Sequence, residues 1–129
     1  MKARAGALLL LALSTPSAFA EWTNIGTTDK DNTTFFVDYK SIRHIGGFVR
    51  MSVLRNLGKP LDDHGTTYSS IVSLEEFDCE EGRWRTVDRT VFTLQNGKGE
   101  AQTIGETSDW NYAPAGTFAE SLLRIACKK

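Results

Sequence analysis

The stretch EEFDCEEGRWRTV, from Glu75 to Val87, concentrates the side chains most able to do chemistry. Glu75, Glu76, Asp78, Glu80 and Glu81 are dense enough to suggest the acid and base of a glycosidase. They end one strand-like run and face the arginine-rich start of the next, where cross-strand charge pairing accounts for them. His44 and His64 lack metal-ligand spacing. His64 follows Asp62 and Asp63, but no G-x-S-x-G elbow accompanies it, so a solvated turn is the plainer reading. DKDNTT, from Asp29, begins like a calcium loop. Thr34 and Lys40 then stand where an EF-hand needs glycine and a bidentate glutamate. GKGEAQ, from Gly97, has two glycines of a dinucleotide fingerprint, but Gln102 replaces the last. NTT at Asn32 fits a glycosylation acceptor, which matters only in a host with that machinery. The sequence therefore predicts no catalytic residue, no metal site and no cofactor, and the chain reads as a non-enzyme.

The basic residues are the better candidates. Arg83, Arg85 and Arg89 recur at even spacing, so an unbroken pleat puts them on one face with Trp84 nearby. Arg50 occupies the solvent side of an earlier run, and Arg55 lies near its end. Such a row is either a solubilising sheet face paired with the acidic cluster or a polar recognition surface. Arg83, Arg85, Arg89, Trp84 and Arg50 are the candidate protein-binding residues.

These side chains are carried by strand-like runs between turn-like clusters. The runs are EWTNIG, TTFFVDY, FVRMSVLRNL, TTYSSIVSLEEFDC, RWRTVDRTVFTL and the weaker EAQTIGE. The clusters include HIGG, GKPLDDHG, EEG and NGKG. Apolar parity changes between Leu74 and Phe77, which predicts a bulge in the fourth run. Short turns between consecutive runs favour an antiparallel meander. APAGTFAESLLRIACKK reads instead as a helix. Thr117 and Glu120 form a capping box, and Phe118, Leu122, Ile125 and Ala126 make one apolar stripe. The expected fold is mainly β: one meander sheet of about six strands with a C-terminal helix packed on it.

The first residues, MKARAGALLLLALSTPSAFA, combine a basic start, a short apolar run and a small-residue cleavage pattern. This predicts a signal peptide over residues 1–20, cleaved between Ala20 and Glu21, and one domain over 21–129. Glu21 also excludes a lipid-modified cysteine at that position, and no later segment is apolar enough to cross a membrane. The expected location is outside the cytoplasm: periplasmic, cell-surface or secreted. Without Lys2 and Arg4, 13 basic side chains face 16 acidic ones, a net charge of −3. That balance disfavours nucleic acid as a partner. In an oxidising compartment Cys79 and Cys127 either bond to each other or remain free or intermolecular thiols. The liability of an exposed exported thiol favours the bond.

YKSIRHIGGFVRMSVLRNL, EEFDCEEGRWRTV and DWNYAPAGTFAESLLRIAC, in that order, resemble the surface-adhesin protein E family of small exported bacterial proteins. The shared features are Asp38, Ser41 and Ile42 in a turn, then a cysteine ahead of an Arg-aromatic-Arg strand start. Trp110 follows, ahead of a helix start at Pro114, Gly116 and Thr117, and a cysteine closes that helix. The resemblance spans roughly Trp22 to Cys127. It implies an antiparallel sheet with a C-terminal helix, the Cys79–Cys127 disulfide and a tendency to dimerise. It further implies binding of host extracellular-matrix or serum proteins. The alternative is a periplasmic or envelope structural domain that self-associates without a dedicated ligand.

Overall fold

The computed structural model of the protein describes residues 20–128. The expected signal peptide, residues 1–20, lies outside the described residues except for Ala20. Eight strands form one antiparallel sheet: β1 (Thr23–Thr27), β2 (Thr34–Val37), β3 (Arg43–Ile45), β4 (Phe48–Asp63), β5 (Thr66–Asp78), β6 (Arg83–Leu94), β7 (Lys98–Ile104) and β8 (Asn111–Tyr112). The main order is β1-β2-β4-β5-β6-β7, with β3 added to β4 and β8 to β6. The six expected strands are all present, and the two additions are short. Among the described residues one α-helix, α1 (Phe118–Cys127), lies on the sheet.

Strands β2 and β3 share one edge of β4, end to end, with Val37 opposite Val53 and Arg43 opposite Arg50. Asp38 makes the break between them. Its carboxylate accepts from the Lys40 backbone N–H at 3.0 Å, and its carbonyl accepts from the Ser41 hydroxyl at 2.6 Å. Ser41 Oγ then accepts from the Ser52 N–H of β4 at 2.8 Å. The Asp-x-x-Ser turn thus interrupts one strand and keeps both pieces on the sheet.

GKPLDDHG, expected as a turn, is largely strand. Strand β4 continues to Asp63, and only His64 and Gly65 form the hairpin tip. Both have left-handed backbones, as a tight two-residue hairpin requires. Pro60 is tolerated because the register with β5 slips between Asn56 and Leu61, where its missing N–H is not needed. Gly58 packs directly on the backbone of Asp31 and Asn32, leaving no room for a Cβ.

The expected bulge lies at Leu74 and Glu75, but its extra residue belongs to the partner strand. Leu74 pairs Asp88 and Glu75 pairs Thr86, so Val87 is unpaired. Strand β5 itself runs unbroken against β4 from Ser70 to Phe77. Its odd residues, Ile71 to Phe77, therefore share the α1 face, and its even residues point outward.

The core is Val37, Val49, Met51, Val53 and Phe77 of the sheet with Leu122 and Ala126 of α1. Phe118 stacks on Phe35, with ring centroids 4.5 Å apart. The Thr117 hydroxyl accepts from the Glu120 N–H at 3.3 Å, while the Glu120 carboxylate takes the Gly116 N–H at 3.0 Å. The helix start is thus capped from both sides, with Glu120 reaching one residue further back than a standard capping box. At the other end Lys128 takes a left-handed backbone and donates its N–H to the Arg124 carbonyl. The Cys79–Cys127 disulfide, 48 residues apart in sequence, ties the last turn of α1 to the end of β5. A ten-residue helix is marginal by itself. The stripe and the disulfide hold it down.

Candidate protein-binding face

The Val87 bulge divides the expected arginine row. Each strand residue shares a face with its direct partner. Arg83 and Arg85 therefore point outward with Asp78 and Glu76, whereas Arg89 follows Ser73 to the α1 face. Trp84 pairs Phe77 and packs against the core, so it also faces inward. Arg50 pairs Glu76 and joins Arg83 and Arg85 outside. Of the five candidates, Arg50, Arg83 and Arg85 come together, and Arg89 and Trp84 do not join them.

On the outer face Glu76 is 1% exposed and is held by two arginines. Arg50 Nε donates to one carboxylate oxygen at 2.8 Å. Arg85 donates to the other from Nε at 2.8 Å, and a terminal nitrogen lies 2.7 Å from the same oxygen. Arg83 Nε donates to Asp78 at 2.9 Å. Burial opposes ionisation of Glu76, but the bonds and charges of Arg50 and Arg85 together outweigh it and hold its carboxyl below the ordinary value. Asp78 is lowered likewise: burial is outweighed by the Glu81 backbone N–H and by Arg83. Both carboxylates are ionised at neutral pH and fix the arginine geometry.

Trp110 lies against this cluster. The Arg83 and Arg85 guanidinium carbons sit 4.7 Å and 4.3 Å from its ring centroid. Phe48 packs on it at 5.1 Å with a 54° tilt. The segment after β7 carries Trp110 back across β6. Ser108 donates its N–H to the Thr86 carbonyl at 2.8 Å and accepts the Thr86 N–H on Oγ at 2.9 Å. Strand β8 then pairs with Arg83 and Trp84. Tyr112, opposite Arg83, is 68% exposed, and Ile45, opposite Phe48, is 45% exposed. The result is a fixed cluster of guanidiniums edged by aromatic and aliphatic side chains. Trp110 is the member that residue-by-residue reading missed, because its contacts come from a loop with no periodicity.

The inner face carries different chemistry. Beneath the first turn of α1 is a cavity of about 150 Å³, lined by Phe35, Arg55, Glu75, Trp84, Phe118 and Leu122 among others. Both carboxylate oxygens of Glu75 accept from the Thr86 hydroxyl, at 3.0 and 3.1 Å. Burial nevertheless dominates and pushes its carboxyl above the ordinary value, against the pull of Ser73, Thr86, Arg55 and Arg89. Farther toward the hairpin tip the same face is uncovered, and Leu57, Leu61, Tyr68, Ile71, Val91 and Ile104 help line a groove of about 570 Å³. No helix among the described residues is long and apolar enough to cross a membrane, and no cluster of three or more His, Cys, Asp or Glu could hold a metal ion.

Comparison with known proteins agrees with this architecture. The family model described as surface-adhesin protein E matches residues 22–128. No curated protein matches the chain. Among solved structures, Haemophilus influenzae protein E in its second crystal form superposes with a TM-score of 0.65 at 16% identity, covering 88% of this chain and 94% of that one. Its selenomethionine form gives 0.64 at 14% identity, over 88% and 92%. Protein E from non-typeable Haemophilus influenzae gives 0.61 at 16% identity, over 88% and 81%. At such identities the likeness is one of fold.

Proposed function

Because the chain belongs to the surface-adhesin protein E family, we propose that it is an exported, non-enzymatic module whose outer sheet face binds host matrix or serum proteins. The observation that carries this reading is the Arg83–Trp110–Arg85 stack. Arginine and tryptophan are the side chains most enriched at binding hot spots. Here Glu76 and Asp78 already immobilise the guanidiniums, so much of the ordering cost of binding is met in advance. The N–H groups not used internally can still take acidic side chains of a partner. The face fits a partner bearing exposed carboxylates beside apolar groups.

A second reading is favoured by the uncovered inner groove, where Leu61 is 46% exposed. A second copy seated there would make the chain a self-associating envelope domain. Two measurements separate the readings. Binding of the mature protein to immobilised vitronectin and laminin tests the first, with the Arg83→Gln/Arg85→Gln variant as comparison. Sedimentation of the parent and of Leu61→Glu tests the second. No binding by the parent at low salt retires the host-protein reading. A monomer at all concentrations retires self-association. Fractionation of producing cells, with the mass of the recovered N-terminus, tests export and cleavage before Glu21.

A further inference from the structure

The cavity beneath α1 is separate from the outer face and has its own chemistry. Its helix side is apolar, with Phe118 and Leu122, while its sheet side sets Arg55, Ser73, Glu75 and Thr86 among Phe35, Val53 and Trp84. Arg55, Trp84, Phe118 and Ala119 are only half-buried, so the cavity can be reached from solvent.

Two of the residues that line this cavity carry donor groups with no acceptor among the described residues. The Trp84 indole N–H is buried and unpaired. The Arg55 guanidinium forms no hydrogen bond or ion pair with a described residue. It senses Glu75 and Arg89 only through space, and burial lowers its pKa. The acceptor side, by contrast, is engaged, since Glu75 takes the Thr86 hydroxyl. The Arg55 donors are open to the cavity, and a ligand carboxylate there would take a charge-assisted bond in place of water. Arg55 and Arg89 also outnumber Glu75, so the local charge favours an anion over a cation. A guanidinium fits a carboxylate with two parallel bonds. A cavity of about 150 Å³ accepts a molecule of about benzene size.

We propose that this cavity binds a small monocarboxylate bearing one compact apolar group, about the size of benzoate. The carboxylate meets Arg55, and the apolar group lies against Phe118 and Leu122. A neutral apolar molecule of the same size would leave the Arg55 donors unmatched, and an ammonium would be repelled by the Arg55 guanidinium. This inference does not rest on the protein-binding reading, because no residue of the Arg83–Trp110–Arg85 stack lines the cavity.

The test is titration of the mature protein, labelled with nitrogen-15, with benzoate, benzyl alcohol and benzylamine. The Trp84 indole signal is the one lost in Trp84→Phe. Benzoate is expected to move that signal and to bind at least about tenfold more tightly than either analogue, as a charge-assisted contact requires. Arg55→Met keeps the apolar stem and should weaken benzoate by about tenfold or more. Ala119→Leu fills the cavity while leaving Arg55 in place, and should abolish binding. It serves as the second variant should Arg55→Met fail to fold. The proposal is overturned by an unmoved Trp84 signal, by equal binding of benzyl alcohol or benzylamine, or by benzoate binding that survives Ala119→Leu. Undiminished binding by a folded Arg55→Met also overturns it. Arg83→Gln/Arg85→Gln should bind benzoate as the parent does, which keeps this outcome distinct from that of the outer face.

Discussion

Glu75 and Glu76 are adjacent in sequence, yet their carboxyls lie on opposite faces of the sheet and titrate in opposite directions. Glu75 points under α1, where burial raises its pKa. Glu76 points outward, between two arginines that lower it.

The pair gives opposite pH signatures. Native Glu75 holds its proton at pH values where the unfolded chain, at the ordinary 4.5, has released it. Its contribution to stability therefore falls as pH rises above 4.5 toward the folded value. Glu75→Gln removes that loss, so the variant should gain on the parent as pH rises through this window. Glu76 has the reverse sign. Its ionised form adds stability that is present above 4.5 and is lost as pH falls through the depressed native value. Glu76→Gln should be less stable than the parent near neutrality, and the gap should close in acid. Urea midpoints from about pH 3 to pH 8 check both. Parallel profiles for the two variants would show that the carboxyls do not occupy distinct environments.

The disulfide should act on the helix first. Cys127→Ala is expected to lower stability by about 2–4 kcal/mol. Hydrogen exchange in α1 should accelerate before that of β4 and β5, because the bond ties the helix end to the sheet. Intact mass before and after alkylation without reduction establishes that the purified protein carries no reactive thiol. Uniform acceleration across sheet and helix would contradict a local staple.

Two substitutions on α1 test its orientation. Leu122 is buried in the core, so Leu122→Ala should cost about 2–4 kcal/mol. Lys128 is exposed, and alanine inherits the same left-handed backbone cost, so Lys128→Ala should stay within about 0.5 kcal/mol. Equal shifts in denaturant melts would place the wrong face inward.

The helix was legible in sequence because its signals are local: a cap at Thr117 and a stripe from Phe118 to Ala126. The strands were legible through alternation and turn residues. What escaped depends on pairing. In RWRTVDRTV, Val87 interrupts the arginine face, but only the register against β5 shows that it is an extra residue, which sends Arg89 inward. GKPLDDHG has turn composition throughout, yet β5 supplies enough partners to keep Leu61 to Asp63 in the sheet. Glu75 breaks the polar-out rule, so its inward position follows only from the pairing of Val49 with Phe77. Trp110 stood in the sequence as an ordered landmark before the helix. Its role between two arginines depends on the return of the chain across β6.

That split of the arginines yields the sharpest test of the outer face. Arg83 and Arg85 stack on Trp110, while Arg89 carries the same charge on the opposite side of the same strand. All three single Arg→Gln changes remove one positive charge, so long-range attraction weakens similarly in each. Only Arg83→Gln and Arg85→Gln disturb the fixed cluster. Binding to immobilised vitronectin or laminin should therefore fall by about tenfold for these two, mainly through faster dissociation, as expected when a positioned charge contact is lost. Arg89→Gln should change little beyond a modest loss of association rate at low salt. Trp110→Ala should weaken binding at least as much. It should also lower stability by about 1–2 kcal/mol, because two cation–π contacts worth about 0.5–1 kcal/mol each disappear together. Kinetic binding traces at two salt concentrations, beside melting curves, measure every term. Equal losses for Arg83→Gln and Arg89→Gln would mean that net charge alone drives association and that the outer face is not the docking surface.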